Sequence, residues 1–459
     1  MTKFENFLSQ LRGKRVAVIG IGVSNTPLLR LLLSAGAHVT ACDRKNREAL
    51  GALAGELEAA GAYLKLGDRY LDELGGAELI FRTPGLRPDT PQLCAARARG
   101  AVVTSEMETF FEVCPCTMLA VTGSDGKTTT TTLIAEMLKN AGNTVWLGGN
   151  IGAPLLADTG RMKPEDFAVL ELSSFQLMTM TRSPHVAVIT NLSPNHLDYH
   201  LDMAEYVEAK TNIFSHQSTG DVLVLNADNA ETAALAARAH GEVRLFSRAS
   251  RPEDGVSFDG ATLFAERDGT HTPLFARPAD RLRGLHNVEN MMAACAAVRD
   301  YVPAEVMAHT VETFAGIEHR CELVRVLDGV SYYNDSIASS PTRCAAGLVA
   351  FEQKVILIAG GYDKHIPFDE LGFVIRDHVK LLLLCGATAE AIEHAVRAAG
   401  GVTPPIVRCE KLEECVSTAR ASALPGDIVT LSPACASFDQ FPNFMKRGEY
   451  FKERVHELK

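Results

Sequence analysis

The chain has 459 residues, 46% hydrophobic and 22% charged, which fits a globular enzyme of two or three domains and excludes a disordered or fibrous protein. Its 45 Lys and Arg against 56 Asp and Glu leave a net charge of −11, which argues against a nucleic-acid partner, since neutralising phosphates needs clustered cations. Apolar runs such as residues 381–385 are far too short to span a bilayer, and residues 1–15 hold no apolar core fit for a signal peptide.

Eleven cysteines are scattered without a CxxC pair, and Cys114-Pro115-Cys116 lacks a second couple to complete a metal site. Reduced, structural thiols in a cytoplasmic protein without membrane insertion are expected.

Three blocks each open on an alternation of β-type runs and helical stretches. In the first, a strand over 15–20 runs into the turn Ile21-Gly22-Val23-Ser24-Asn25, a helix over 26–35 and a second strand over 38–42 that ends at Asp43-Arg44. The pattern is close to a dinucleotide-binding βαβ unit, but Asn25 stands where the third glycine belongs. A nucleotide-like site other than an NAD site and a bare strand-to-helix turn both remain open. Arg82-Thr83-Pro84-Gly85 follows the strand-like run 78–81 and can line the same crevice.

The second block carries the most informative stretch. An apolar strand over 117–120 is followed by Val121-Thr122-Gly123-Ser124-Asp125-Gly126-Lys127-Thr128-Thr129 and a helix over 130–139. Strand, glycine turn, Lys-Thr and helix is the layout that cradles a triphosphate, although Val121 sits where the first glycine of the general pattern belongs. Glycines let backbone N–H groups approach phosphate oxygens, and a helix N-terminus adds about half a positive charge. Lys127 would reach the β/γ-phosphates and Thr128 would ligate Mg²⁺ of bound ATP. The alternative is a glycine-rich turn that binds nothing.

Glu171 ends the apolar run 167–170 and is placed to hold the same Mg²⁺; its alternative role is a capping or surface carboxylate. In Asn195-His196-Leu197-Asp198, after a strand over 186–190, His196 is either a metal or phosphate ligand or a structural residue. Lys210 lies in the middle of the apolar stripe Met203, Tyr206, Val207, Ile213 and Phe214 of a helix over 203–214. A lysine there must snorkel, find a partner or change its charge state. With a depressed pKa its neutral amine can take up CO₂ as a carbamate, an anion able to help hold a metal; the plainer reading is a tip that reaches the helix edge.

In the third block, strands over 330–333, 355–359 and 428–431 lead into Asn334-Asp335-Ser336, Gly360-Gly361-Tyr362-Asp363-Lys364 and a ten-residue loop from Ser432 through Ser437 and Phe438 to Phe441. Small residues after a strand allow close backbone approach to a ligand. His319-Arg320 sits near the boundary of the last two blocks, where an Arg can reach an anionic group.

Taken with Gly149-Asn150-Ile151-Gly152 and Gly284-Leu285-His286-Asn287, these motifs, in this order and over the whole length, resemble the Mur ligases of peptidoglycan synthesis. The resemblance implies an α/β fold of three domains: a Rossmann-like N-terminal domain over 1–105 for a UDP-linked substrate, a P-loop-type ATPase domain over 106–316, and a Rossmann-like C-terminal domain over 317–459 for the amino acid and nucleotide. It implies ATP-dependent addition of D-glutamate to UDP-N-acetylmuramoyl-L-alanine through an acyl phosphate, in a cytoplasmic enzyme expected to be a monomer. Val23, Ser24, Asp43, Arg44, Thr83, Pro84 and Gly85 would hold the uridine diphosphate end, and Asn150, Ser173 and His196 would lie along the muramoyl path. Gly123 to Thr129, with Asn287, Asn290, Arg320 and Asp335, would hold ATP. Thr128 and Glu171 would serve one Mg²⁺, and His196 and a carbamylated Lys210 a second, which makes Lys127, His196 and Lys210 the implied catalytic set. Ser339, Lys364, Ser437, Phe438 and Phe444 would hold D-glutamate.

Three departures stand out: Ile337 follows Asp335-Ser336 where the resemblance leads one to expect Lys, Asp125 replaces Asn, and Tyr199 replaces Arg. The first bears on amino-acid specificity. The alternatives are another Mur-type ligase with a different amino-acid substrate, or a nucleotide-binding sensor of a wall precursor without catalysis. A sensor predicts loss of Lys127, Glu171 or Lys210, and all three are present.

Overall fold

The computed structural model describes residues 1–459 except 23–24, 73, 198, 279–281, 283, 315 and 365, so the expectations for Val23, Ser24 and Asp198 lie outside the described residues. The chain divides into two compact units, Met1–Pro278 with Leu285–Glu312, and Ala279–Gly284 with Thr313–Lys459.

The first unit contains two sheets. Strands β1 (Arg15–Ile19), β2 (His38–Asp43), β3 (Tyr63–Leu66), β4 (Leu79–Phe81) and β5 (Val102–Thr104) form a parallel sheet of order β3-β2-β1-β4-β5. Its order reverses between β1 and β4, where a doubly wound sheet opens a crevice at its strand ends. The second sheet is built from β6 (Thr117–Thr122), β7 (Val145–Gly149), β8 (Phe167–Glu171), β9 (Val186–Ile189), β10 (Val222–Asn226), β11 (Glu242–Ser247), β12 (Gly255–Phe258), β13 (Thr262–Arg267) and β14 (Thr270–Ala276). Their order is β14-β13-β12-β11-β10-β9-β6-β8-β7, parallel from β7 to β12 and antiparallel beyond.

Strands β6, β8, β9 and β10 are covered on both faces, so they read as continuous apolar runs. The helices Lys127–Asn140 and Leu285–Val298 pack on this sheet and on each other. From Met291 to Val298 every residue is buried, as in a helix that is apolar all round. Each fully buried Leu, Ile, Val or Met contributes about 1.5–3 kcal/mol over its exposed state, and this packing anchors the start of helix Lys127–Asn140 rigidly.

The second unit has β15 (Glu322–Leu327), β16 (Val330–Asn334), β17 (Val355–Ala359), β18 (Val379–Leu384), β19 (Ile406–Arg408) and β20 (Ile428–Leu431), in the order β15-β16-β20-β17-β18-β19. All pairs are parallel except β15 with β16. Strand β20 is last in the chain yet lies between β16 and β17, which makes the three small-residue loops neighbours at one sheet edge.

Two local expectations are corrected. The helix expected over 203–214 is Met203–Thr211; Ile213 and Phe214 follow in tight turns, their amides bonded to Lys210 O at 3.1 Å and Thr211 O at 3.0 Å. The antiparallel extension β12–β14 has no counterpart in the sequence reading.

Candidate active site

The loop between β6 and helix Lys127–Asn140 is tightly constrained. Gly123 and Gly126 have φ of 147° and 80°, and a Cβ on Gly126 would fall on Asn290 Oδ1. Gly126 precedes the helix without a side-chain cap, so the first-turn amides are available to an anion. Ser124 faces inward: its hydroxyl meets Tyr206 OH at 2.9 Å and donates to Ser193 O at 2.9 Å, while its amide donates to Asn191 O at 2.9 Å. The Asp125 amide donates to Asn191 Oδ1 at 2.9 Å, and the Asp125 carbonyl accepts from Thr190 Oγ1 at 2.5 Å. Thr128 is partly exposed at the helix start and Thr129 is buried. Beside them, Thr130 donates to Asn290 Oδ1 at 3.3 Å, and Asn290 Nδ2 donates to Asn287 Oδ1 at 3.1 Å.

Two lysines converge on one carbonyl. Lys127 Nζ donates to Gly123 O at 3.0 Å and Ser124 O at 2.9 Å. Lys210 Nζ donates to the same Gly123 O at 2.9 Å and to Thr122 Oγ1 at 3.2 Å, and lies 4.8 Å from the Tyr206 ring centroid. Lys210 is 2% exposed. Burial, and then the charge of Lys127, push its pKa well below the ordinary lysine value, against the opposing pull of Glu171 and Asp125. The stripe in the sequence therefore marks a buried amine, and the snorkelling alternative is set aside.

Glu171 closes β8 and is also 2% exposed. Its Oε1 accepts from Asn150 Nδ2 at 3.0 Å, and Asn150 is pinned in turn by its amide on Glu171 O at 2.8 Å. The other oxygen, Oε2, is buried with no hydrogen-bond partner. A buried carboxylate oxygen left unpaired is costly, and a hard divalent cation is the partner that suits it. Among the described residues no three His, Cys, Asp or Glu gather to form a metal site. An ion on Glu171 would therefore need further oxygens, such as those of Thr128, a phosphate or a carbamate. The donor set fits Mg²⁺ carried with ATP.

His196 is exposed at φ 54°, and its ring meets Phe175 edge-on at 4.9 Å. Ser173 caps the short helix Ser174–Leu177 reciprocally with Gln176. One buried residue here, His200, went unnoticed in the sequence, and a second, Arg82, was read there only as part of its loop. His200 meets Ser174 Oγ at 2.9 Å through Nε2 and stacks on Phe175 at 5.7 Å, with burial lowering its pKa. Arg82, 1% exposed, donates to Thr179 Oγ1 at 2.7 Å and to Leu86 O at 3.0 Å, bracing the Thr83-Pro84-Gly85 loop from behind. No sequence signal separates a buried Arg or His from a surface one.

In the N-terminal sheet, Asn25 donates to Ile19 O and Gly20 O, both at 3.0 Å, so its amide fills the place of the missing glycine and caps the turn. Asp43 at the end of β2 accepts from the amides of Ile21 at 2.5 Å and Lys45 at 2.8 Å. Arg44 is exposed beside it, and Thr83 approaches Gly20 so closely that a Cβ on Gly20 would lie 3.1 Å from Thr83 Cβ.

In the second unit, Asp335 is buried and accepts from Ser432 Oγ at 2.8 Å and Cys321 N at 3.2 Å. Burial raises its pKa to about 6, moderated by these bonds and by Arg320 and Arg343. Gly361 lies against Ala436 O, where a Cβ has no room, and Lys364 Nζ donates to Ser339 O at 3.3 Å. Ser437 is buried; its carbonyl accepts from Gln440 N and Phe441 N, turning the loop so that Phe438 is exposed against Tyr362 at 5.8 Å. Phe444 opens the helix Phe444–Glu457, and its carbonyl accepts from Ser336 Oγ at 2.8 Å. Ile337 is partly buried, and its amide donates to His319 O at 3.0 Å.

Comparison with known proteins identifies the family. Residues 14–105 match the Mur ligase MurD-like N-terminal domain, 121–298 the Mur ligase middle domain and 319–435 the Mur ligase glutamate ligase domain. A UDP-N-acetylmuramoylalanine–D-glutamate ligase of Acetivibrio thermocellus is 52% identical, covering 100% of this chain and 99% of the relative. The chain belongs to the Mur ligase family. A ligase of the same name from Clostridium novyi is 50% identical over 99% of each chain. Among solved Mur ligases, the UDP-N-acetylmuramate-alanine ligase MurC of Thermotoga maritima superposes with a TM-score of 0.59 at 19% identity, covering 97% of this chain and 100% of that one. MurF of Acinetobacter baumannii gives 0.59 at 16% identity, covering 98% of each, so the α/β Mur ligase fold is shared. Among the described residues no helix is long and apolar enough to cross a membrane.

Proposed function

We propose that this Mur ligase joins D-glutamate to UDP-N-acetylmuramoyl-L-alanine at the expense of ATP, as a monomer in the cytoplasm. The observation that carries the reading is the meeting of Lys127 and Lys210 on Gly123 O, with Lys210 coupled electrostatically to Glu171, in a chain alignable end to end with relatives of that name. The working domains are 1–105, 106–316 and 317–459.

The alanyl carboxylate is a poor electrophile. It attacks the γ-phosphorus of ATP, ADP leaves, and an acyl phosphate forms. Lys127 and the amides at the start of helix Lys127–Asn140 neutralise charge on the transferring group. The amine of D-glutamate then adds to the acyl carbon, and inorganic phosphate departs as the amide forms and the amine gives up its proton. Thr128 and Glu171 would hold one Mg²⁺, and His196 with carbamylated Lys210 a second; when bound, these ions supply charge neutralisation on the phosphoryl oxygens. A neutral Lys210 amine is the form that reacts with CO₂, and burial favours that form.

Asp43, Arg44 and the Thr83-Pro84-Gly85 loop, with Val23 and Ser24, are assigned to the uridine diphosphate end, and Asn150, Ser173 and His196 to the muramoyl path. Gly123 to Thr129 are assigned to the ATP phosphates, and Asn287, Asn290, Arg320 and Asp335 to the rest of the nucleotide. Ser339, Lys364, Ser437, Phe438 and Phe444 are assigned to D-glutamate. The test is oxygen transfer. With ¹⁸O in the alanyl carboxylate, the account expects one labelled oxygen in the released phosphate; unlabelled phosphate, or release of AMP, would exclude the acyl phosphate.

A further inference from the structure

The loop after β4 and the turn that carries His196 are joined by a two-way clasp. In one direction, Tyr199 OH donates to Pro84 O at 3.0 Å. In the other, Arg87 Nη1 donates to Tyr199 O at 2.6 Å. The Arg87 guanidinium is spent fully: it takes both oxygens of Glu205 at 3.1 and 3.0 Å and both oxygens of Asp89 at 3.0 and 2.9 Å. It is about three-quarters buried and stands 5.6 Å from the Tyr199 ring centroid. Glu205 also accepts from Leu201 N at 2.7 Å, so the far side of the turn is tied to the same guanidinium. Planar bidentate pairing of this kind fixes geometry as well as charge.

His196 sits at the edge of this clasp. It adopts a left-handed backbone, which for a residue with a Cβ costs about 1–2 kcal/mol and persists only where its surroundings impose it. Its carbonyl accepts from Tyr199 N at 3.1 Å and His200 N at 3.0 Å, and its ring shares Phe175 with Tyr199, whose ring lies 4.2 Å from that phenyl. Tyr199 is thus bonded to His196 through the backbone and to Pro84 through its side chain.

We infer that Arg87 and Tyr199 are positioning residues that transmit occupancy of the Thr83-Pro84-Gly85 loop to His196, coupling the uridine diphosphate end of the substrate to the phosphoryl-transfer centre. The inference rests on the assignment of that loop and of His196 given above. A diphosphate drawn against the loop holds Pro84 O in place, and through Tyr199 and Arg87 the turn that presents His196 is held with it. Coupling energies between such sites usually change an affinity or a placement 5–150-fold.

The test uses the full chain labelled with ¹³C on histidine, the His196 resonance being assigned by His196→Gln. Uridine 5′-diphosphate is added alone, since it ends short of the muramoyl group; its binding is measured separately by calorimetry, and thermal unfolding checks that each variant is folded. The inference expects uridine diphosphate to shift the His196 resonance in the unaltered protein, and the shift to vanish in Tyr199→Phe and Arg87→Lys while the nucleotide still binds. In turnover, Tyr199→Phe should lower kcat about fivefold and Arg87→Lys about thirtyfold, with KM for ATP and for D-glutamate within twofold of the original. Lys retains the charge but not the fork, so recovery of activity in Arg87→Lys would overturn the inference. Binding without a His196 shift in the unaltered protein would also overturn it. Failure of uridine diphosphate to bind at all would overturn the assignment of the loop, and the inference with it.

Discussion

Replacing Lys210 with Met separates stability from catalysis. The side chain is 2% exposed and its charge is disfavoured by burial and by Lys127. Met is unbranched, one heavy atom shorter, and leaves no polar group stranded: Gly123 O keeps the bond from Lys127 at 3.0 Å, and Thr122 Oγ1 still donates to Leu172 O at 2.7 Å. The unfolded chain holds the Lys210 proton up to the ordinary value near 10.4, while the folded protein releases it at a lower pH. Between those two values the unfolded state binds the extra proton, so the stability of the unaltered protein rises with pH by up to ~1.4 kcal/mol per unit. The cost of burying the amine is present in full below the folded pKa and gone above the unfolded one. Lys210→Met does not titrate, so it should be the more stable protein near neutrality, with a margin that shrinks as pH rises toward 10. Denaturant unfolding from pH 7 to 10 in bicarbonate-free buffer, followed by the single tryptophan Trp146 in the same unit, measures the gap. Bicarbonate should narrow it by converting the amine to a carbamate, and phosphate release should fall about 10²–10³-fold in the variant. A gap that is constant across pH would refute the buried neutral amine and the carbamate with it.

Three further outcomes follow from the same geometry. Lys127→Ala should lower single-turnover formation of the acyl phosphate by about 10²–10³-fold, read from ¹⁸O transfer, with the fold unchanged by circular dichroism. Gly126→Ala places a Cβ on Asn290 Oδ1 at φ 80°, so it should cost about 1–3 kcal/mol in denaturant unfolding and raise KM for ATP. Glu171→Gln keeps the bond with Asn150 but removes the anion, and a Mg²⁺ titration of phosphate release should show at least tenfold weaker metal use.

The sequence made plain whatever physics imprints locally. Strands buried on both faces, such as β6, β17 and β20, appear as apolar runs, and Lys127, Glu171 and the three C-terminal loops follow directly from strand ends. Lys210 was visible because a lysine interrupts an apolar stripe. The hairpin β13–β14 was not, because Glu266 at 1% exposure is buried only through Arg251 at 2.7 Å, Ser257 at 2.5 Å and His271 at 2.6 Å, partners that tertiary structure supplies. Arg87 and His200 escaped notice, and so did the burial of Arg82, for the same reason: their burial depends on residues about 25 to 120 positions away. The helix that stops at Thr211 shows the limit of periodicity, since Ile213 and Phe214 keep an apolar spacing through turns as well as through a helix.

The most direct test of the account is phosphate release from ATP in the presence of UDP-N-acetylmuramoyl-L-alanine, comparing D-glutamate, L-glutamate, other amino acids and none, with the product weighed by mass spectrometry. The account predicts release that requires both the muramoyl substrate and D-glutamate, and a product heavier by one glutamyl residue. Release driven instead by another amino acid would contradict it and point to Ile337, where an apolar side chain stands in the place of an expected cation.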